Sequence, residues 1–274
     1  LNSVQLDGDT ELALTGANTV GTIENEGSVT VSGGELTVTG GLDCGSESLT
    51  VENGATLTTQ GTVEVGTVVN GGTLVNEGTL MLPEGTSAEQ IQEMNLEGDG
   101  IVKSGAMIYL GGKFYADGGD ASGGLDLSGS IPTEETYYKT GSGYAIFSPA
   151  TADPVANAKL KLHGTVISTT NATALVLPST EPVDIIVDGD SSLTAGGSGN
   201  VINTNGQALS VTGSGDLTLA GPYYGINVNG SGVVSIDIDG DLTFNTVSQP
   251  ISTSGGITLR AKNITTEKGS YFYS

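Results

Sequence analysis

The sequence predicts an all-β protein, a right-handed single-stranded parallel β-helix with three short strands per coil. Three observations predict it: a repeat of about 24 residues in the C-terminal half, a shorter apolar beat in the N-terminal hundred, and glycine at 44 of 274 positions. The glycine content is far above the usual ~7%, so the chain turns often. An ordinary helical protein would carry more Ala, Glu, Lys and Leu than a chain with only 14% charged residues. The regular recurrence of Val, Ile, Leu and Thr argues against disorder.

The repeat is clearest where Val201–Gly206, Gly225–Gly230 and Pro250–Gly255 align. Ile202, Ile226 and Ile251 then fall 24 and 25 residues apart in one column. A second column runs Val187, Val211, Ile236 and Leu259, and a third runs Leu193, Leu217, Leu242 and Ile264. Leu162 before Val187, and Leu175 before Ile202, add an earlier coil. Apolar and polar residues alternate within each piece, which turns one set inward and the other to water. One coil cannot bury its inner face alone, so the unit must recur. Right-handedness is expected from the rule for parallel crossovers.

Residues 1–100 keep the same style at a tighter pitch. Val29, Leu36, Leu42, Leu49, Leu57, Val63, Val69, Leu74 and Leu80 are separated by turn triplets such as Asn25-Glu26-Gly27 and Asn76-Glu77-Gly78. Taken three at a time they make coils of about 17 to 21 residues. Residues 101–143 read as an irregular junction between two stacked sections, or alternatively as a loop-rich insertion in one continuous β-helix, and 144–274 as a β-helix of about five coils. Just before the junction, Ser87–Met94 is the one good helical stretch, with Ser87 as cap and Gln90 at the capping-box position. Tyr271, Phe272 and Tyr273 are expected to plug the open C-terminal end.

The chain carries 31 acids and 8 Lys or Arg, a formal charge of −23. The first 102 residues hold 16 acids and no base. Such a field repels nucleic acid and anionic membranes. It leaves divalent cations and neutral polysaccharides as partners, and it also keeps a Thr- and Val-rich β protein soluble. With a single cysteine, Cys44, no intramolecular disulfide holds the fold. No apolar run approaches the ~18 residues of a membrane span. The chain begins Leu1-Asn2-Ser3 without a signal peptide, as expected for a trimmed, secreted or cell-surface form acting as a monomer.

Met107–Gly112, the irregular stretch after it, and the coils bearing Gly215-Asp216-Leu217-Thr218 and Gly240-Asp241-Leu242-Thr243 resemble bacterial secreted and cell-surface β-helix modules. Some of these are carbohydrate-binding domains and others adhesins. The resemblance covers roughly residues 105–274 and rests on repeat style. It implies a non-catalytic extracellular protein acting in adhesion or glycan binding, with calcium often involved, and carries over no ligand position.

Candidate sites follow from the residues. Asp237, Asp239 and Asp241 gather three carboxylates, and Asp190, Asp216 and Asp241 fall at equivalent turns of successive coils. Stacked about 4.8 Å apart, they would favour a hard cation such as calcium. Alternatively they are turn residues bonded to nearby backbone. Exposed aromatic rings suit sugars, which points to Tyr223-Tyr224 and Tyr137-Tyr138, since neighbouring rings in a turn cannot both point inward. The alternative is that they cap coil corners. A polysaccharide lyase or glycoside hydrolase is the competing class. Its fragments, His163-Gly164, Asn203-Thr204-Asn205 and Arg260-Ala261-Lys262, occur in the wrong order and without a paired Asp-Asp. Glycoside hydrolysis requires two positioned carboxylates. Converging Asp, Lys and Arg in a cleft would favour the enzyme, and their dispersal the binder.

Overall fold

A computed structural model describes residues 1–152, 154–246 and 248–267. It is 54% strand and 2% helix, and its parallel strands stack as a β-solenoid, about 12 turns in all. The chain divides into two compact units, Leu1–Ala116 and Asp117–Ser274. Tyr271, Phe272, Tyr273 and Lys268 lie outside the described residues.

In the first unit, strands stack in parallel at offsets of 17 to 22 residues, as between Thr56 and Thr73 and between Thr79 and Ile101. Val4, Ile23, Leu42, Val63, Leu80 and Val102 form one continuous inward ladder. Leu36, Leu57 and Leu74 form a second, and Val29, Leu49 and Val68 a third. Val69, placed on the apolar beat by spacing, points outward and is 53% exposed, while Val68 takes the inward place opposite Leu49. A Val-Val pair hides the alternation, and the register decides it. Cys44 is buried in this core, and burial pushes its thiol up to about 11.

The short helix is Ala88–Glu93, capped by Ser87 with the full capping box to Gln90. Its Ile91 is buried against the first core. Ile101–Ser104 stacks in parallel on Thr79–Leu82 and so adds another strand to the first stack. Met107–Leu110 and Lys113–Asp120 form an antiparallel hairpin. Gly111 and Gly112 both take positive φ at its tip, as a two-residue primed turn requires.

The second unit has three faces of five parallel strands. We call them the charged, hydroxyl and amide faces after their outward residues. The charged face is Ala158–His163, Val183–Val187, Leu209–Gly213, Val234–Ile238 and Ile257–Arg260. The hydroxyl face runs from Val166–Ser168 to Ile264–Thr266 and stacks Ser192, Thr218, Thr243 and Thr265. The amide face runs from Leu125–Asp126 to Gln249–Ser252 and stacks Asn203, Asn227 and Ser252. Ile202, Ile226, Ile251, Val211 and Ile236 are fully buried, and Leu259 packs partly buried against the same core.

Two expected columns shift by two residues. Val211 stacks on Ile185 and Val187 lies opposite Gly213; Leu193 meets Leu219 and Leu217 meets Ser191. The corner after Leu193 is longer: nine residues separate Leu193 from Ile202, against seven from Leu219 to Ile226. A two-residue slip keeps every inward side chain inward, so alternation alone cannot register it.

Close stacking also dictates glycine at certain corners. A Cβ on Gly61 would run into the carbonyl of Gly40, and one on Gly78 into that of Gly61. In the second unit a Cβ on Gly215 would strike Gly189, and one on Gly240 would strike Gly215.

Two outcomes test this packing. Ile226→Ala should lower stability by about 2–5 kcal/mol, and Ile226→Asp should unfold adjoining coils because an unpaired charge enters the ladder. Circular-dichroism melts report both. Cys44 should resist a thiol reagent near about pH 8 in the native protein and react only on unfolding, because the thiolate is the nucleophile.

Candidate functional site

The aspartate column exists. Asp190, Asp216 and Asp241 stand at one corner of three successive coils, each beside a glycine. Their carboxylates, however, are already engaged. The backbone N–H of Asp216 donates to Asp190 at 3.2 Å, and that of Asp241 donates to Asp216 at 2.7 Å. The series ends on Asn263, whose side-chain amide donates to Asp241 at 2.8 Å. Asn263 is not legible as a member, because an asparagine directly before the last strand, Ile264–Thr266, carries no Gly-Asp signature. Each carboxylate thus satisfies a corner amide of the following coil.

Asp237 and Asp239 do share the outward face, but Arg260 occupies them. Its Nε pairs with Asp237, and its second guanidinium nitrogen lies 3.5 Å from Asp239. Among the described residues no three His, Cys, Asp or Glu side chains gather as a metal-ligand set. The calcium expectation named Asp190, Asp216, Asp237, Asp239 and Asp241, and each of these side chains has a protein partner. These oxygens accept hydrogen bonds from backbone amides, an asparagine and a guanidinium.

The fragments that suggested catalysis are dispersed. Arg260 is 64% exposed on the last coil of the charged face and serves as an ion-pair partner. Thr204 is fully buried and donates to Gln207, and Asn205 adopts a left-handed turn conformation. His163 closes the strand Ala158–His163, its ring stacked on Tyr144 at 4.7 Å and its Nδ1 3.4 Å from Asp188. Lys161 bonds the same Asp188 oxygen, and this ammonium holds the carboxyl below the ordinary carboxylate range. Between this cluster and Arg260 the row runs Lys161, Ile186, Thr212, Asp237, Arg260. Charged groups thus share one face but form two separate ion-paired clusters.

The tyrosine pairs part company. Tyr137 and Tyr138 are only 5% and 9% exposed, which corrects the expectation that one ring of this pair faces water. They belong to an antiparallel strand, Thr136–Lys139, rather than a turn. Alternation there sends Tyr138 into the core, while Tyr137 is packed beside Tyr144. Burial pushes the Tyr137 phenol up to about 12. Tyr223 and Tyr224 differ. Tyr223 is 47% exposed, and its ring meets Tyr224 edge-on with centroids 6.1 Å apart. Tyr224 opens the strand Tyr224–Asn227 of the amide face and lies opposite Gln249. From Leu175–Val176 to Gln249–Ser252 the strands of that face carry no charged residue.

No protein-family model, curated protein or solved structure matches this chain.

Titration with salts tests the aspartate column. Calcium, magnesium and sodium chloride at matched ionic strength should raise the melting temperature equally, by screening alone. Asp216→Ala should lower stability by about 0.5–1.5 kcal/mol through the lost amide acceptor, with or without calcium.

Proposed function

We propose that the protein is a non-catalytic extracellular binding module, acting in adhesion through a neutral glycan held on the amide face. The observation that carries this reading is the Tyr223 ring, 47% exposed at the entry to Tyr224–Asn227, a strand of the face whose strands from Leu175–Val176 onward carry no charge. An exposed ring offers its face to sugar C–H groups, and side-chain amides both donate and accept hydrogen bonds with hydroxyls. Asn203 and Asn227 stack in register on this face, and Gln249 lies opposite Tyr224. A neutral ligand also avoids the repulsion of a −23 chain. The solenoid displays these residues on a rigid, repeating surface, which suits a polymer of repeating sugars. The dispersal of Asp, Lys and Arg into separate ion pairs supports binding over lyase or hydrolase chemistry.

A glycan array probed with the full chain tests the reading. Neutral oligosaccharides should bind, Tyr223→Ala should weaken them about tenfold with the melting temperature held, and no cleavage products should form. Binding unchanged in Tyr223→Ala, or release of new reducing ends, would overturn it.

A further inference from the structure

The amide face offers a ligand two directions, and the fold equips them unequally. Its strands are short: Leu175–Val176 and Ile202–Asn203 have two residues each, Tyr224–Asn227 and Gln249–Ser252 four. Within Tyr224–Asn227 the middle pair, Gly225 and Ile226, is buried, so one strand turns out only Tyr224 and Asn227. Across the strands the supply is greater. Asn203, Asn227 and Ser252 stand in register on three successive coils, about 4.8 Å apart. The polar column stops at Val176, which lies opposite Asn203 on the preceding coil. All three polar residues are half-buried, yet the side chains of Asn227 and Ser252 make no hydrogen bond among the described residues. Asn203 uses only its Oδ1, which accepts the backbone N–H of Asn205 at 3.1 Å, and keeps both Nδ2 donors. The aspartate corner is built the other way, since there each stacked carboxylate satisfies the coil that follows. On the amide face the stacked groups keep their hydrogen-bonding capacity for something outside the protein.

We propose that the ligand of this face is an extended, equatorially linked neutral glycan lying along the stacking axis, with successive sugars over Asn203, Asn227 and Ser252. The inference rests on the preceding reading and adds to it a direction and a class of linkage. Spacing selects the class. In an extended equatorial chain each sugar advances by nearly the distance between coils, so its hydroxyls meet a polar side chain on every coil. A chain with axial linkages curls, and its later sugars leave the column. Charge agrees, because the strands from Leu175–Val176 to Gln249–Ser252 carry none, and an acidic chain would approach a protein of charge −23. Each amide both donates to and accepts from a sugar hydroxyl.

Calorimetry with the full chain tests the proposal, using β-1,4-linked cello-, manno- and xylo-oligosaccharides of increasing length against maltotetraose. At least one β-1,4 series should bind, and its trisaccharide should bind about three- to tenfold tighter than its disaccharide, the scale of one added hydrogen bond. Maltotetraose should be weaker than that trisaccharide. Asn227→Ala, in the middle of the column, should abolish the gain with length at an unchanged melting temperature, because the side chain holds nothing within the protein. Affinity that does not grow with length, maltotetraose as tight as the extended chains, or a gain retained in Asn227→Ala would overturn the axial placement. Where neutral sugars still bind and Tyr223→Ala still weakens them, those results leave the face itself as the glycan site. Failure of every series, maltotetraose included, would overturn both readings.

Discussion

Everything in this structure follows from the distance between one coil and the next. Parallel backbone hydrogen bonds set it at about 4.8 Å, and every residue must live with a neighbour at that distance above and below. Along the faces this is easy, because identical or similar side chains nest: Ile on Ile at 202, 226 and 251, Leu on Leu at 36, 57 and 74. At the corners the backbones approach too closely for a side chain at some positions, and there the sequence supplies glycine, as at Gly61 over Gly40 and Gly215 over Gly189. The high glycine content is therefore a packing requirement as much as a conformational one.

The same spacing makes the surface a set of columns. A residue type placed outward on one strand meets its counterpart on the next, so each face of the second unit acquires a chemistry of its own. Hydroxyls stack on one, amides on another, and lysine, histidine, arginine and aspartate on the third. The aspartate corner obeys the same logic. Carboxylates stacked without partners would repel one another, and the arrangement is tolerated because each accepts an amide N–H from the adjoining coil. The core, meanwhile, is insulated from these choices, since inward and outward residues alternate.

Much of this could be read from the chain. Ile202, Ile226 and Ile251 announced their column by spacing, and Ser87 with Gln90 announced the helix start. The failures share a cause. Alternation has a period of two, so it gives the side of the sheet a residue faces but not its partner; hence the two-residue shift at Val187 and Leu193. Val68 and Val69 defeated even the facing, being chemically identical neighbours. Tyr137 and Tyr138 were misplaced because an antiparallel strand interrupts the parallel pattern where no repeat marks it. At the candidate site, residue types were legible and hydrogen-bond partners were not. Asp216 looks the same in sequence whether it awaits a cation or already accepts an amide from the coil beyond.

The inter-coil hydrogen bonds of the second unit have a direction as well as a length. They run from coil to coil, along the axis on which the strands Val183–Val187, Leu209–Gly213 and Val234–Ile238 are piled. Tension applied along that axis loads the rungs one after another, in series, and a terminal coil peels off when its own rung gives way. Tension applied along the strands must instead shear several rungs at once, in parallel. The fold is thus mechanically anisotropic, and a tether pulling across the pile meets far greater resistance than one pulling at its end.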